Sequence, residues 1–557
     1  MTRLNTHKRT RAQESSGAIE RMYITMRHLF NRGFYKPMGI SGETLRESLL
    51  ILSPEIYGSI TEDKIELEGL LYVIDRLPYG IEECRFINLT SDEGYNNSHF
   101  KPIIPAKRRR NCYRIDDEQM NIEITRGRSE IYDILTHLTF LYIESHKIMK
   151  QVMINDEGEV IRDWKKLEEA VLVKKDLSQK DKEIALTHTA NFLGRTFEEV
   201  NEMYPLFDCP SIKNRFLNII YYLGKRAMEE VMTDTQRLIT FSPVLRERLG
   251  HHIHGEQWAS KVKKTLKSKG LLNRPLHIIS ANMHSVLNSL FASKALTNEF
   301  KDENNIEIFE KLSDPKSIKL QQKVSKYALE HGMTYIEDDS GANINVQIFD
   351  SDYFYEGPVH MVKEDKPVII VMDYAFGEQA YETMDELLKP YLASGTRELL
   401  NVISISIMGK AGILGGKKGD IMIPSAHVFE GTADNYPFKN KLKKSHFDDV
   451  EDIEVCEGTM ITVLGTSLQN RDILRFFHTS TWDVIGLEME GAHYQKAIQS
   501  ASKIRGSISS KVAVRYAYYA SDNPLESGST LASGGLGTAG VKPTYAITEK
   551  MLKQILV

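Results

Sequence analysis

Cysteine is scarce, four in 557 residues (Cys84, Cys112, Cys209 and Cys456), widely spaced and never in a C-x-x-C pattern. This excludes a disulfide-stapled fold and a cysteine-based zinc or dithiol centre, and reduced, packed thiols are expected. No apolar run approaches the ~18 residues a membrane span needs, and the basic N-terminus has no apolar stretch of signal-peptide length. The sequence therefore predicts a cytoplasmic protein with no membrane partner. An excess of positive charge is also missing: 71 Lys plus Arg against 76 Asp plus Glu give a net charge of -5, so no field draws the chain to nucleic acid. A complete set of metal ligands is missing too. His251, His252 and His254 cluster, but adjacent histidines point in different directions and no carboxylate or cysteine completes them, so no metal is expected. What is present is a globular composition, 41% hydrophobic and 26% charged, in a chain long enough for more than one domain. A small molecule is the expected partner.

From Gly17 to Phe30 the residues Ile19, Met22, Tyr23, Met26, Leu29 and Phe30 fall on one helical face. The same period recurs at Leu45–Ile51, Ile131–Ile148 and Phe216–Val231, so the first half reads as mainly helical. Cys112–Thr125 alternates instead and reads as a hairpin. The lysine-rich KVKKTLKSKGLLNRP, up to Pro275, has the composition of a surface connection and sets a boundary near residue 270. Residues 1–270 are then a helical accessory or regulatory domain and 271–557 a second domain. Beyond the boundary, strand-length runs alternate with helical patterns: LHIISA (276–281), Val286–Leu296, INVQIF (344–349), VIIVM (368–372), Glu378–Tyr391 and VISISIM (402–408). They continue with Met460–Leu464, Gly491–Ser502, VAVRYAYYA (512–520) and Tyr545–Leu556. This predicts an α/β fold with a mixed, mainly parallel central sheet flanked by helices. Ligands of such sheets sit at the carboxyl ends of the strands.

At those ends stand Asn282-Met283-His284, Asp373-Tyr374-Ala375-Phe376-Gly377, Gly409-Lys410-Ala411-Gly412 and Ser521-Asp522-Asn523-Pro524. Each reads equally as a tight turn between strand and helix. Gly409 and Gly412 would let a ligand approach the backbone. Two longer segments add order: Gly409–Gly431, where Gly419-Asp420 opens a strand running to His427 and Glu430, and Gly486-Leu487-Glu488-Met489-Glu490-Gly491-Ala492, two carboxylates around a methionine at a helix start. The succession MGKAG, GDIMIP, LEMEGA, ASDNPL resembles the nucleoside phosphorylase and nucleosidase superfamily over about residues 275–557, with SDNPLESG nearest in style to AMP nucleosidase.

The resemblance implies a nucleoside phosphorylase-like catalytic half that cleaves a ribosyl N-glycosidic bond through an oxocarbenium-like state. Its substrate is then a purine nucleoside or nucleotide, with no cofactor and inorganic phosphate as a possible co-substrate or effector. Glu490 would clamp the ribose hydroxyls with Glu488 in support, and Met489 would pack on the sugar. Asp522 would protonate the leaving purine, with Ser521 beside it. His284 stands where the hydrolases of the family carry a glutamate base, and Lys410 where they carry a small hydroxyl or a histidine. No arginine follows the first strand until Arg397, which tilts the reading from phosphorolysis to hydrolysis. A nucleotide sensor without turnover is the alternative outside enzymology. Family members build their sites near subunit interfaces, so a homo-oligomer is expected. The glycine-rich Ser527–Gly540 reads as a linker or a lid, and Lys107–Arg110 with Arg126 and Arg128 as a solvated run or an anion site.

Overall fold

The computed structural model describes residues 9–173, 177–209, 212–300, 304–356, 365–393, 395–526 and 536–557. Most of the glycine-rich segment read as a linker or lid, residues 527–535, lies outside the described residues. The chain forms two compact units, one of residues 1–125, 130–250 and 467–473, the other of residues 126–129, 251–466 and 474–557.

The first unit is helical with a sheet that hydrophobic periodicity largely missed. Strands β1 (Phe34–Tyr35), β2 (Phe86–Thr90), β3 (Cys112–Arg114), β4 (Gln119–Glu123) and β5 (Leu238–Phe241) pair in the order β1-β5-β2-β4-β3. The expected hairpin is present as antiparallel β3 and β4. The short β1, β2 and β5 were invisible because strands of two to five residues carry too little alternation to outweigh helical flanks. Lys107–Arg110 is not simply solvated: Arg108 donates twice to Asp133 Oδ2, at 3.0 and 3.2 Å, and buried Arg110 lies 3.3 Å from Glu130. Segment 467–473 is tied to this unit by Asn470, whose amide donates to the Leu52 carbonyl at 2.8 Å.

The second unit begins at His251, not near residue 270. The lysine-rich run is helical within Ile253–Ser268, because its lysines share a heptad-like stretch with Trp258, Val262 and Leu266, all buried in the core. The Trp258 indole donates to the Ile344 carbonyl at 2.8 Å and Lys263 Nζ to the Glu386 carbonyl at 2.6 Å. A surface connection would make neither bond.

Ten strands form its main sheet: β6 (Leu276–Ser280), β7 (Met333–Ile336), β8 (Val346–Asp350), β9 (Val368–Met372), β12 (Val402–Ile413), β13 (Ile421–Phe429), β14 (Asp434–Pro437), β15 (Val455–Thr462), β16 (Val484–Glu488) and β17 (Ala513–Asp522). A separate two-stranded ribbon, β10 (Tyr391–Ala393) with β11 (Thr396–Glu398), follows the Gln379–Leu387 helix, so the helix expected to reach Tyr391 stops earlier. The sheet is mixed: β6, β9, β12 and β17 run parallel, as do β13, β15 and β16, while β12/β16, β13/β17, β13/β14, β7/β8 and β8/β9 are antiparallel. Because β17 pairs with both β12 and β13, strands β12, β16, β15, β13 and β17 close into a ring. Met422 and Met460 fill the space over Gly486, where a Cβ would also lie 2.6 Å from the Gly412 carbonyl oxygen.

The segment GKAG is not a turn. Gly409, Lys410 and Gly412 lie inside β12, which continues to Ile413 because β17 pairs with it residue by residue from Ser404 to Ala411 and, after a register shift at Ser521, again at Gly412.

Candidate active site

Strand β12 organises the site. One flank is covered by β17. The other pairs with β6 only as far as Ile407 and with β16 only from Gly412, where it meets Leu487. Between Ile407 and Gly412 that edge is left to side chains. Tyr374, from the loop after β9, fills it: a Cβ on Gly409 would lie 2.5 Å from the Tyr374 hydroxyl, so only glycine accommodates the ring there.

Glu488, Met489 and Glu490 enter the same gap at the end of β16, and all three are buried. Glu488 is a brace. Its Oε2 accepts the backbone N–H groups of Glu490 and Gly491, and its Oε1 accepts the Thr462 hydroxyl, which itself receives the Ala492 N–H at 2.9 Å. These bonds satisfy the start of the Gly491–Gln499 helix. Burial lifts the Glu488 carboxyl to about 7 against the pull of its hydrogen bonds. Glu490 is less engaged. Its Oε1 accepts the Gly377 N–H at 3.0 Å, and the Tyr374 hydroxyl faces it without being aligned to donate. Burial, and then the neighbouring Glu488, push Glu490 up to about 8.

On the other flank Asp522 ends β17, opposite Gly412. The Ser521 hydroxyl donates to Asp522 Oδ1 at 2.6 Å, while Oδ2 is buried without a partner. Burial raises the Asp522 carboxyl, opposed by the Ser521 hydrogen bond and the charge of Lys410. Asn523 fixes the chain beyond by donating to the Gly416 carbonyl at 3.0 Å. Since Gly412 pairs with Asp522 on one side and Leu487 on the other, two interstrand steps, about 10 Å, separate the backbone of Asp522 from that of Leu487, which leads into the Glu488–Glu490 turn. A nucleoside spans such a distance.

Met283–Ala295 begins three residues after β6, and His284 stands in its first turn, exposed, with its backbone N–H donating to Asn282 Oδ1 at 2.9 Å. It leaves the sheet from the flank of β12 that carries Glu490. Lys410 is exposed on β12.

Beneath the acids lies a polar layer that the motifs did not disclose. His427 is fully buried, its ring stacked 5.3 Å from Phe438 and its Nε2 3.1 Å from the Tyr518 hydroxyl. Burial lowers it to about 3, so it is neutral. A Cβ on Gly491 would enter the His427 ring and lie 2.7 Å from the Tyr518 hydroxyl. Gly491→Ala is therefore expected to cost ~1–3 kcal/mol by overpacking, read as a lower midpoint in urea. Glu430, at the end of β13, accepts the Leu464 N–H at 3.1 Å and is raised to about 7 by burial. The place of Tyr374 after a strand was readable; its approach to Glu490 depends on which strands are neighbours, which the sequence does not state.

Among the described residues no group of His, Cys, Asp and Glu is arranged to hold a metal ion, and His254 is bonded to the Ser340 carbonyl. No described helix is long and apolar enough to cross a membrane.

The model of a family of unknown function, DUF6909, matches residues 43–300 and 309–557. No curated protein matches. Similar solved structures include the 5'-methylthioadenosine/S-adenosyl homocysteine nucleosidase of Campylobacter jejuni, 12% identical, with 50% of this chain and 98% of that one covered at a TM-score of 0.30. They also include futalosine hydrolase of Helicobacter pylori, 13% identical over 51% of this chain and 98% of that one, at 0.30. A third is Helicobacter pylori MTAN, 14% identical over 51% and 99%, at 0.29. Values this low leave the argument to the geometry.

Proposed function

Because the chain belongs to a family of unknown function, DUF6909, its chemistry has to be read from the site, and we propose that it hydrolyses the N-glycosidic bond of a purine nucleoside or nucleotide. The observation that carries this reading is the double pairing of Gly412, which brings the strands leading to Asp522 and to the Glu488–Glu490 turn to opposite sides of β12. One tip holds a buried carboxyl with an unused oxygen, suited to donate a proton. The other holds a buried carboxyl fixed through one oxygen, suited to accept from vicinal hydroxyls.

In the proposed reaction the bond from C1′ to purine N9 breaks and its electron pair stays with the base. Asp522 gives its proton to N7, so the base leaves neutral. Glu490, ionised, accepts from the ribose hydroxyls and stabilises the positive charge that grows on the ring. Met489 packs on the sugar. Water adds its oxygen to C1′, and its proton passes to His284. Glu488 keeps Glu490 in place through the helix start. Lys410 is the cation available to a phosphate, whether on the substrate or free in solution.

Incubation with adenosine, inosine, methylthioadenosine and AMP in phosphate-free buffer tests this reading. Free base with one equivalent of reducing sugar is expected from at least one of them. Release that requires phosphate and yields a sugar 1-phosphate would make the protein a phosphorylase, and binding without release would make it a sensor.

A further inference from the structure

Residues 126–129 are far in sequence from every strand of the second unit, yet they fold with it. Three of them rest on the loop 376–379. The Arg126 guanidinium carbon is 5.7 Å from the centre of the Phe376 ring. Gly127, at φ 72°, lies beside Gln379, whose Cβ would be at ordinary contact distance, 3.5 Å, from a Cβ placed there. Ser129 Oγ accepts the Glu378 N–H at 2.8 Å and occupies the space that a Cβ on Gly377 would need. The loop is held at its far end as well, because Gln379 accepts the Phe376 N–H at 3.3 Å and donates to the Ala342 carbonyl at 2.6 Å.

Gly377 has φ 55°, a left-handed conformation that glycine tolerates. Its N–H is the one that reaches Glu490 Oε1. A hydroxyl that fixes the Glu378 N–H and fills the side-chain space of Gly377 restrains the rotation of that donor. We propose that Ser129 is a positioning residue for Glu490, acting through the Gly377 amide and contributed by a part of the chain that the nucleosidase-like motifs do not reach. Its consequence for turnover rests on the proposed function; the positioning itself does not.

The test uses the full chain with carboxyl-labelled glutamate, followed by NMR as a function of pH, the Glu490 signal being assigned by its loss in Glu490→Gln. The groups facing Glu490 are Glu488 on its own strand, Tyr374 after β9, Tyr494 on the following helix and Tyr518 on β17, and all remain in Ser129→Ala. A loosened Gly377 donor stabilises the ionised Glu490 less, so Ser129→Ala is expected to move its midpoint upward by ~0.5–1 unit. Gly377→Ala, which displaces the Ser129 hydroxyl, should produce the same shift, and Ser129→Thr, which keeps a hydroxyl, should restore the wild-type value. An unchanged Glu490 midpoint in folded Ser129→Ala, or in Gly377→Ala should the first variant not fold, overturns the proposal. If the shift is seen while wild type releases no base from any nucleoside, the positioning stands and the proposed function fails.

Discussion

Asp522→Asn is expected to slow purine release by ~10²–10⁴-fold while sparing an activated substrate such as a nitrophenyl riboside. The reason lies in the end of β17. Oδ1 of Asp522 is occupied by the Ser521 hydroxyl, whereas Oδ2 is buried and unpaired, so Oδ2 is the oxygen free to carry and deliver a proton. Burial raises the carboxyl, which favours its protonated form, and the Ser521 hydrogen bond and the charge of Lys410 oppose that rise. An asparagine would fill the same volume and accept the same hydroxyl, but it has no proton to donate. A nitrophenolate leaves without one. Steady-state rates on both substrates check this; equal losses on the two would assign Asp522 to structure.

Glu490→Gln is expected to lower kcat/KM by ~10²–10³-fold with little change in stability, since an amide cannot stabilise growing positive charge or accept from both hydroxyls through one oxygen pair. The pH profile carries the sign. Burial and Glu488 hold Glu490 up to about 8, so below that pH it is mostly neutral and only above it mostly ionised. Release of nitrophenolate from the activated riboside, which needs ionised Glu490 but no proton from Asp522, should therefore rise through an alkaline limb near that value in the wild type, and the limb should be absent from the glutamine variant. Glu488, whose oxygens are taken by Glu490 N–H, Gly491 N–H and Thr462, belongs to the stability of the helix start instead.

The strand ends were legible because β6, β9, β12 and β17 each contain a run of strand length rich in apolar residues, followed by glycine or polar residues, and are buried at nearly every position. Asp522 was legible because it stands at the end of β17, whereas Glu488 and Glu490, at the end of the unexpected strand β16, were reached through the LEMEGA resemblance. GKAG misled because glycine spacing looks the same in a turn and in a strand crossed closely by Tyr374; only the partner decides. The lysine-rich run misled because its charges stand on a helix whose apolar face, Trp258, Val262 and Leu266, is buried. Ser129 carried no signal at all. Its contact with Glu378 joins residues 249 positions apart, and nothing in either local sequence refers to the other.

The central claim is that Glu490 and Asp522 hold the two ends of one nucleoside, and it is tested most directly by a binding cycle that needs no turnover. The ligand is a carbon-linked purine nucleoside, which cannot be cleaved, compared with its 2′-deoxy form by calorimetry at pH 9, where Glu490 is ionised. For wild type and Asp522→Asn, loss of the 2′-hydroxyl should weaken binding by ~10–100-fold, the worth of a hydrogen bond to a charged group. For Glu490→Gln the penalty should nearly vanish. The same penalty in all three proteins would mean that Glu490 does not touch the sugar, and would contradict the account.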